Sequence, residues 1–175
     1  PGSAFKPIVY AAAMEKGFTP ESILVDEPLN LAGARRGKTW QPKNFDNQYY
    51  GPTSLRTGLI YSRNIVAIKL LQEVGIDRVV KMARDAGIRS KIKPDLTLAL
   101  GSSEVSLLEM TGAYTPFANN GNYTPPILIE KIIDQNGNVM EEKMPQKVRV
   151  MSEQTAQYMD QMLQGVIEQG TGKLA

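Results

Sequence analysis

Cysteine and histidine are both absent from this sequence of 175 residues. Without cysteine the chain has no thiol nucleophile, no disulfide and no thiolate ligand for zinc. Without histidine it can build neither a Ser-His-Asp triad nor a histidine-ligated metal centre. No run of about 18 apolar residues occurs, so no segment is expected to cross a bilayer. Catalysis would therefore depend on hydroxyl, amine, amide and carboxylate groups, and we expect no metal or cofactor.

Charge and composition are ordinary for a globular domain. The formal net charge is +2, charged residues make up 22% of the chain and hydrophobic residues 42%. The basic residues are scattered, which argues against a nucleic-acid partner. The length fits one domain or most of one. No secretory leader is visible, and if the complete protein is anchored in a membrane, the anchor is expected outside these residues.

Apolar periodicity and turn-forming residues predict a mainly α-helical chain with one small β-hairpin. The first helix is predicted over residues 3–16, and the Asn136-Gly137 pair predicts the turn of the hairpin. The proline- and glycine-rich residues 18–52 are predicted to form a long ordered loop. Five further helices are predicted at residues 53–61, 65–73, 77–86, 106–118 and 153–169.

Several polar side chains predict where helices begin. Ser106 and Glu109 have the spacing of a capping box, in which each side chain accepts a backbone N–H of the other residue. Asp77 and Ser152 are expected N-caps. These four residues fix the starts of three of the predicted helices.

The opening stretch PGSAFKP places Ser3 three residues before Lys6. Side chains three apart on a helix share a face, so the lysine amine can reach the serine hydroxyl. A serine becomes a good nucleophile when a neighbour removes its proton, and a neutral lysine can do so where histidine is absent. Burial and the positive end of the helix would both favour the neutral amine. Taken alone, the same spacing is also typical of a capping serine and a solvated lysine.

A second triplet, SRN, lies at a predicted break between two helices. Ser62 could relay a proton between the lysine and a leaving amine. The Asn64 amide can both donate to and accept from a substrate amide. The alternative is structural: Ser62 caps the following helix and Asn64 lies on the surface.

Three stretches carry a family resemblance: PGSAFKP, WQPKNFDNQYYGPTSLRTGLIYSRN and LALGSSEVSLLEMTGAYTPFANNGNY. Their SxxK and SxN elements occur in the order found in penicillin-binding proteins. Together the stretches resemble the transpeptidase domain of class A penicillin-binding proteins, the bifunctional peptidoglycan synthases. The form GSAFKP favours class A, and the resemblance covers nearly the whole chain.

The resemblance implies a role for each motif residue. Ser3 resembles the nucleophile that is acylated by a D-alanyl-D-alanine stem peptide or by a β-lactam antibiotic. Lys6 resembles its general base, Ser62 the proton-relay serine and Asn64 the residue that orients the substrate amide. It also implies a place on the periplasmic face of the bacterial inner membrane, with the membrane anchor in another part of the protein.

The third motif of the family, Lys-Thr-Gly, is missing. Residues 170–173, Gly-Thr-Gly-Lys, resemble the GTG segment that precedes this motif in the family. We therefore expect residues 1–175 to be a partial transpeptidase domain of the α/β penicillin-recognising fold. It would comprise the helical lobe and the nucleophile helix and lack most of the central antiparallel sheet. The isolated chain is expected to be inactive, and a nucleophile helix with one side open to water would favour self-association.

Two other functions remain open from the sequence. A β-lactamase would need a deacylating carboxylate, and DEPLN, residues 26–30, invites that comparison. This stretch is one residue shorter than the ExxLN motif and lies before SxN, so we interpret it as a turn in the long loop. The other alternative is a β-lactam-binding sensor or a non-catalytic penicillin-binding module.

Overall fold

The computed structural model describes residues 1–32, 39–144 and 146–174, and its main elements are helices. None of the helices among these residues has the length and apolar character that crossing a membrane requires. The described ranges contain six α-helices: α1 (Lys6–Glu15), α2 (Leu55–Ile60), α3 (Asn64–Val74), α4 (Ile76–Asp85), α5 (Leu107–Ala118) and α6 (Glu153–Glu168). Two short 3₁₀ helices span Gly2–Phe5 and Leu96–Leu100.

Among the described residues, eight short strands form four antiparallel pairs. β1 (Ile23–Asp26) pairs with β4 (Gly51–Ser54), and β2 (Leu31–Ala32) pairs with β3 (Thr39–Trp40). β5 (Asn122–Tyr123) pairs with β8 (Val148–Arg149), and β6 (Lys131–Ile133) pairs with β7 (Val139–Glu142). No sheet of more than two strands occurs in the described part of the chain. The prediction of a mainly α-helical chain is confirmed.

The predicted hairpin is also confirmed, because β6 and β7 flank the Asn136-Gly137 turn. The prediction that residues 18–52 are irregular is wrong in part. β1 lies in this segment and pairs with β4, which begins at its end. The two strands are about 25 residues apart in sequence, so no hairpin turn signal marks the pair. Residues 33–38 of the same predicted loop lie outside the described residues.

Helix α1 is the centre of the hydrophobic core. Nine of its ten residues are buried, and it packs against α3, α4 and α6. The run Ala11–Ala13 keeps the side chains small, so neighbouring helices approach closely. Pro7 lies in the first turn, where its missing N–H costs no helical hydrogen bond. The expectation that one side of this helix would be open to water is therefore wrong. The buried helix gives no support to the expected self-association.

Helix capping follows the sequence prediction with one exception. Ser106 and Glu109 form the predicted capping box at the start of α5, and Ser152 caps α6 by accepting the Thr155 N–H. Asp77 does not cap α4. That helix begins one residue earlier, after Gly75, and Asp77 lies in its first turn, where a carboxylate complements the helix dipole.

Candidate active site

Ser3 lies in the 3₁₀ helix Gly2–Phe5, directly before α1, with its side chain exposed. Two other parts of the chain hold this short helix. The Gly2 N–H donates to the Gly101 carbonyl over 3.2 Å. The Tyr114 hydroxyl of α5 donates to the Ala4 carbonyl over 2.7 Å. The backbone on both sides of Ser3 is therefore tied to distant elements.

Lys6 is the first residue of α1, and its side chain is only 1% exposed. Its Nζ donates to the Ser62 carbonyl over 2.6 Å, to Ser62 Oγ over 2.8 Å and to Asn64 Oδ1 over 2.7 Å. Burial lowers the pKa of the Lys6 amine from 10.5 to about 8, because it removes water from around the charge. With this pKa, the Lys6 amine is neutral in roughly one molecule in ten at pH 7.

Ser62 lies in the turn between α2 and α3 and has a left-handed backbone with φ of 53°. A non-glycine residue rarely adopts this conformation, and such residues concentrate at functional sites. Here both the carbonyl and the hydroxyl of Ser62 face Lys6. Ser62 is not the cap of α3, since Arg63 occupies that position without a side-chain capping bond. The capping alternative from the sequence is therefore wrong for this serine.

Asn64 opens α3 with its side chain turned towards Lys6. Its Oδ1 accepts the Lys6 bond, and its Nδ2 donates to the Lys43 carbonyl over 2.9 Å. Its own backbone N–H donates to Asn44 Oδ1 over 2.8 Å. The Asn64 amide thus has a defined orientation, with one Nδ2 proton left for a further acceptor.

One open cavity of about 500 Å³ brings the predicted residues together. Ser3, Ser62 and Asn64 line it, and the Lys6 amine donates hydrogen bonds to Ser62 and Asn64. In the described structure no direct hydrogen bond joins Ser3 Oγ to Lys6 Nζ. The remaining lining residues are Asn44, Phe45, Asp46, Tyr61, Arg63 and Thr171.

Sequence reasoning missed a charged cluster beside Ser62. The Arg63 guanidinium lies 3.6 Å from the centre of the Tyr50 ring and donates to Asp46 Oδ2 over 2.6 Å. The pKa of Asp46 is lowered to about 2, because its carboxylate accepts hydrogen bonds from the Gln48 N–H, the Tyr50 hydroxyl and Arg63. The pairing of a carboxylate with an arginine 17 residues away has no local sequence signal, although both residues lie in the motif block around SRN.

The DEPLN stretch, Trp40 and the GTGK stretch each contact other parts of the chain. Glu27 of DEPLN forms an ion pair with Lys69 over 2.7 Å and does not line the cavity. Trp40 packs against the core, as an anchor of its segment. Thr171 of the GTGK stretch does reach the cavity, where its N–H donates to the Ile60 carbonyl over 3.3 Å.

Comparison with known proteins places the chain among penicillin-binding proteins. The model of the penicillin-binding protein transpeptidase domain matches residues 1–175. Penicillin-binding protein 1A of Aquifex aeolicus (strain VF5) is 38% identical over 175 residues, which are 100% of this chain and 24% of that protein. The chain thus spans about a quarter of the length of this curated relative.

Solved structures agree with this assignment. Penicillin-binding protein 1A from Haemophilus influenzae superposes with a TM-score of 0.91 at 32% identity, covering 99% of this chain and 31% of that one. The D,D-transpeptidase domain of a peptidoglycan glycosyltransferase from Eggerthella lenta gives a TM-score of 0.81 at 25% identity, covering 99% and 49%. The helices therefore form part of the penicillin-recognising fold, and the chain belongs to the family of penicillin-binding protein transpeptidase domains.

Proposed function

We propose that this chain supplies the acyl-serine machinery of a peptidoglycan D,D-transpeptidase, with Ser3 as nucleophile and Lys6 as general base. One observation carries the proposal. The buried Lys6 amine donates hydrogen bonds to Ser62 and Asn64, which line the same cavity as Ser3. A solvated lysine with an ordinary pKa would stay protonated and could not accept a proton from serine at neutral pH. Burial makes Lys6 a base that is partly available there.

Acylation uses these groups in sequence. Neutral Lys6 takes the Ser3 hydroxyl proton, either directly or through Ser62, and Ser3 Oγ forms a bond to the carbonyl carbon of the penultimate D-alanine. The carbon–nitrogen bond to the terminal D-alanine then breaks. The leaving amine takes a proton that Lys6 passes on through Ser62. Asn64 holds the substrate amide by donating its remaining Nδ2 proton.

Transfer to a second stem peptide reverses these steps. The acceptor amine attacks the ester carbonyl, loses a proton to the Ser62–Lys6 pair and forms the new amide cross-link. Ser3 Oγ leaves the carbonyl and regains its proton. A β-lactam would follow the acylation step only: its ring opens, the leaving nitrogen stays attached to the adduct, and the ester persists.

The names of the relatives support the proposed activity. One solved relative is described as a D,D-transpeptidase domain, and the curated relative is a penicillin-binding protein 1A. The proposed substrates are stem peptides ending in D-Ala-D-Ala. The proposed location is the periplasmic face of the inner membrane, where these peptides are exposed.

The proposal is tested by locating a penicillin adduct on the complete gene product. Labelling with a fluorescent penicillin, digestion and mass spectrometry should give one stable adduct, on the peptide that contains Ser3. An adduct on another residue, or no adduct, would contradict the proposal, and the latter would favour a non-catalytic module. Rapid turnover of nitrocefin would instead favour a β-lactamase.

The pH dependence of acylation should follow the Lys6 amine. The base form reacts, so the rate should rise about tenfold per pH unit below pH 8 and level off above it. Stopped-flow labelling with a penicillin between pH 6 and 10 measures this profile. A rate that falls as the pH rises through 8 would show that the protonated amine is the reactive form.

A further inference from the structure

We propose that Asn44 and Asp26 form a buried positioning pair that orients Asn64 and, through it, holds Lys6 in place for proton transfer. This inference rests on the proposed function. Neither residue belongs to the SxxK or SxN motif. Asp26 is the last residue of β1, and Asn44 lies in the irregular segment between β3 and β4. Both are almost fully enclosed, with 1% of Asp26 and 3% of Asn44 exposed.

The Asn44 amide is bonded at both ends. Its Nδ2 donates to the two Asp26 carboxylate oxygens over 2.9 and 2.8 Å and to the Gln48 carbonyl over 2.8 Å. Its Oδ1 accepts the Asn64 N–H over 2.8 Å and the Ile65 N–H over 3.3 Å. A buried polar side chain with this many partners has a single orientation.

The two N–H groups that donate hydrogen bonds to Asn44 Oδ1 belong to the first turn of α3. The first N–H groups of a helix have no partner within it, and Arg63 at the cap position offers no side-chain acceptor. Asn44 therefore caps α3 from a different segment of the chain. This contact fixes the backbone of Asn64, the residue that carries the amide of the site.

The residue before Asn44 holds the side chain of Asn64. The Lys43 carbonyl accepts Asn64 Nδ2 over 2.9 Å, which leaves Asn64 Oδ1 turned to Lys6 Nζ at 2.7 Å. Two consecutive residues thus bind the backbone and the side chain of Asn64. If the segment shifted, the Asn64 oxygen would leave Lys6, and one of the three bonds that aim the amine would be lost.

Asp26 explains why Asn44 does not rotate. An ionised carboxylate accepts hydrogen bonds and donates none, so it selects the orientation in which Nδ2 faces it. The oxygen of Asn44 must then point to α3. A neutral side chain at position 26 would bind the amide less strongly, since hydrogen bonds to charged groups are about twice as strong as neutral ones.

Exchanging the two side chains tests the pair in the complete gene product. Asn44→Asp puts two carboxylates against each other and should lower the acylation rate constant at saturating penicillin at least about tenfold at pH 8.5. Asp26→Asn keeps an acceptor and should lower it about threefold. The double variant restores a donor opposite an acceptor but not the bond to the Gln48 carbonyl, so it should be at least about threefold faster than Asn44→Asp and remain slower than wild type. Glu27→Gln, next to Asp26 and away from the cavity, is the matched control with an unchanged rate.

Two readouts separate positioning from general stability. After correction for the folded fraction by active-site titration, the rate constant at saturation should fall by a larger factor than the apparent dissociation constant for penicillin rises. Amide hydrogen exchange should accelerate at Asn64 and Ile65 in the Asn44→Asp protein. If that protein does not fold, Asp26→Asn decides by the same two measurements.

The inference is overturned by an unchanged rate constant and unchanged exchange in the folded single variants. It is also overturned if the double variant is as slow as Asn44→Asp. A wild-type protein that penicillin does not acylate would contradict the proposed function instead. In that case, exchange at Asn64 and Ile65 would still decide whether the pair holds the start of α3.

Discussion

Replacing Lys6 by methionine is expected to slow penicillin acylation by about a thousandfold or more, because the site then has no base. Loss of a positioned general base typically costs a factor of about 10² to 10⁴. Methionine has a similar length and fits an enclosed apolar space, so the core around α1 should stay packed. Labelling with a fluorescent penicillin gives the rate.

The same variant should also change how stability depends on pH. The folded pKa of Lys6, about 8, lies below its unfolded value of 10.5. Between these two values the unfolded chain still holds the proton that the folded chain has lost. The free energy of unfolding of wild type should therefore rise with pH across this window, by up to about 3 kcal/mol relative to Lys6→Met. Urea titrations at pH 7.5 and 10 measure the difference.

Lys81→Met is the matched control. Lys81 lies on the outer face of α4, where it pairs with Asp85, and its side chain is 75% exposed. This variant should acylate at the wild-type rate and keep the wild-type dependence of stability on pH. Rapid acylation of the folded Lys6→Met protein would show that the proton of Ser3 goes to another group.

The motif residues could be predicted from sequence because their signals are local. Ser3 and Lys6 are one helical turn apart, and SRN lies at a break between two helices. The capping box of α5 depends on two residues three apart, and the structure confirms it. The family resemblance adds the order of these motifs along the chain, and the match of the family to residues 1–175 confirms the resemblance.

The support around the motifs could not be predicted in this way. Asn44 contacts Asp26 and Asn64 across 18 and 20 residues, and nothing in the periodicity of the segment indicates either contact. DEPLN was interpreted as a turn, but its first residue is the buried carboxylate of the proposed pair. Long-range contacts of single polar side chains depend on the whole fold, whereas capping boxes and hairpin turns depend on neighbours.

Replacing Gly101 by alanine is expected to reduce acylation by about 100-fold and to destabilise the fold, although this residue belongs to no motif. Gly101 has a left-handed backbone with φ of 67°, and a Cβ there would clash with the Gly2 carbonyl oxygen. That oxygen is backbone and cannot rotate away. The 3₁₀ helix that carries Ser3 must therefore move, and the Gly2 N–H bond to Gly101 would be strained or lost.

Gly137→Ala separates this clash from backbone strain. Gly137 is also left-handed, with φ of 84°, but a Cβ there would have no heavy atom within 4 Å. Both variants place alanine in the left-handed backbone region, which costs about 1 kcal/mol. Only Gly101→Ala also creates a clash with the 3₁₀ helix that carries Ser3. We expect the Gly137 variant to acylate at the wild-type rate and the Gly101 variant to be slow even in its folded fraction. Equal acylation rates would mean that the contact between Gly101 and Gly2 does not set the position of Ser3.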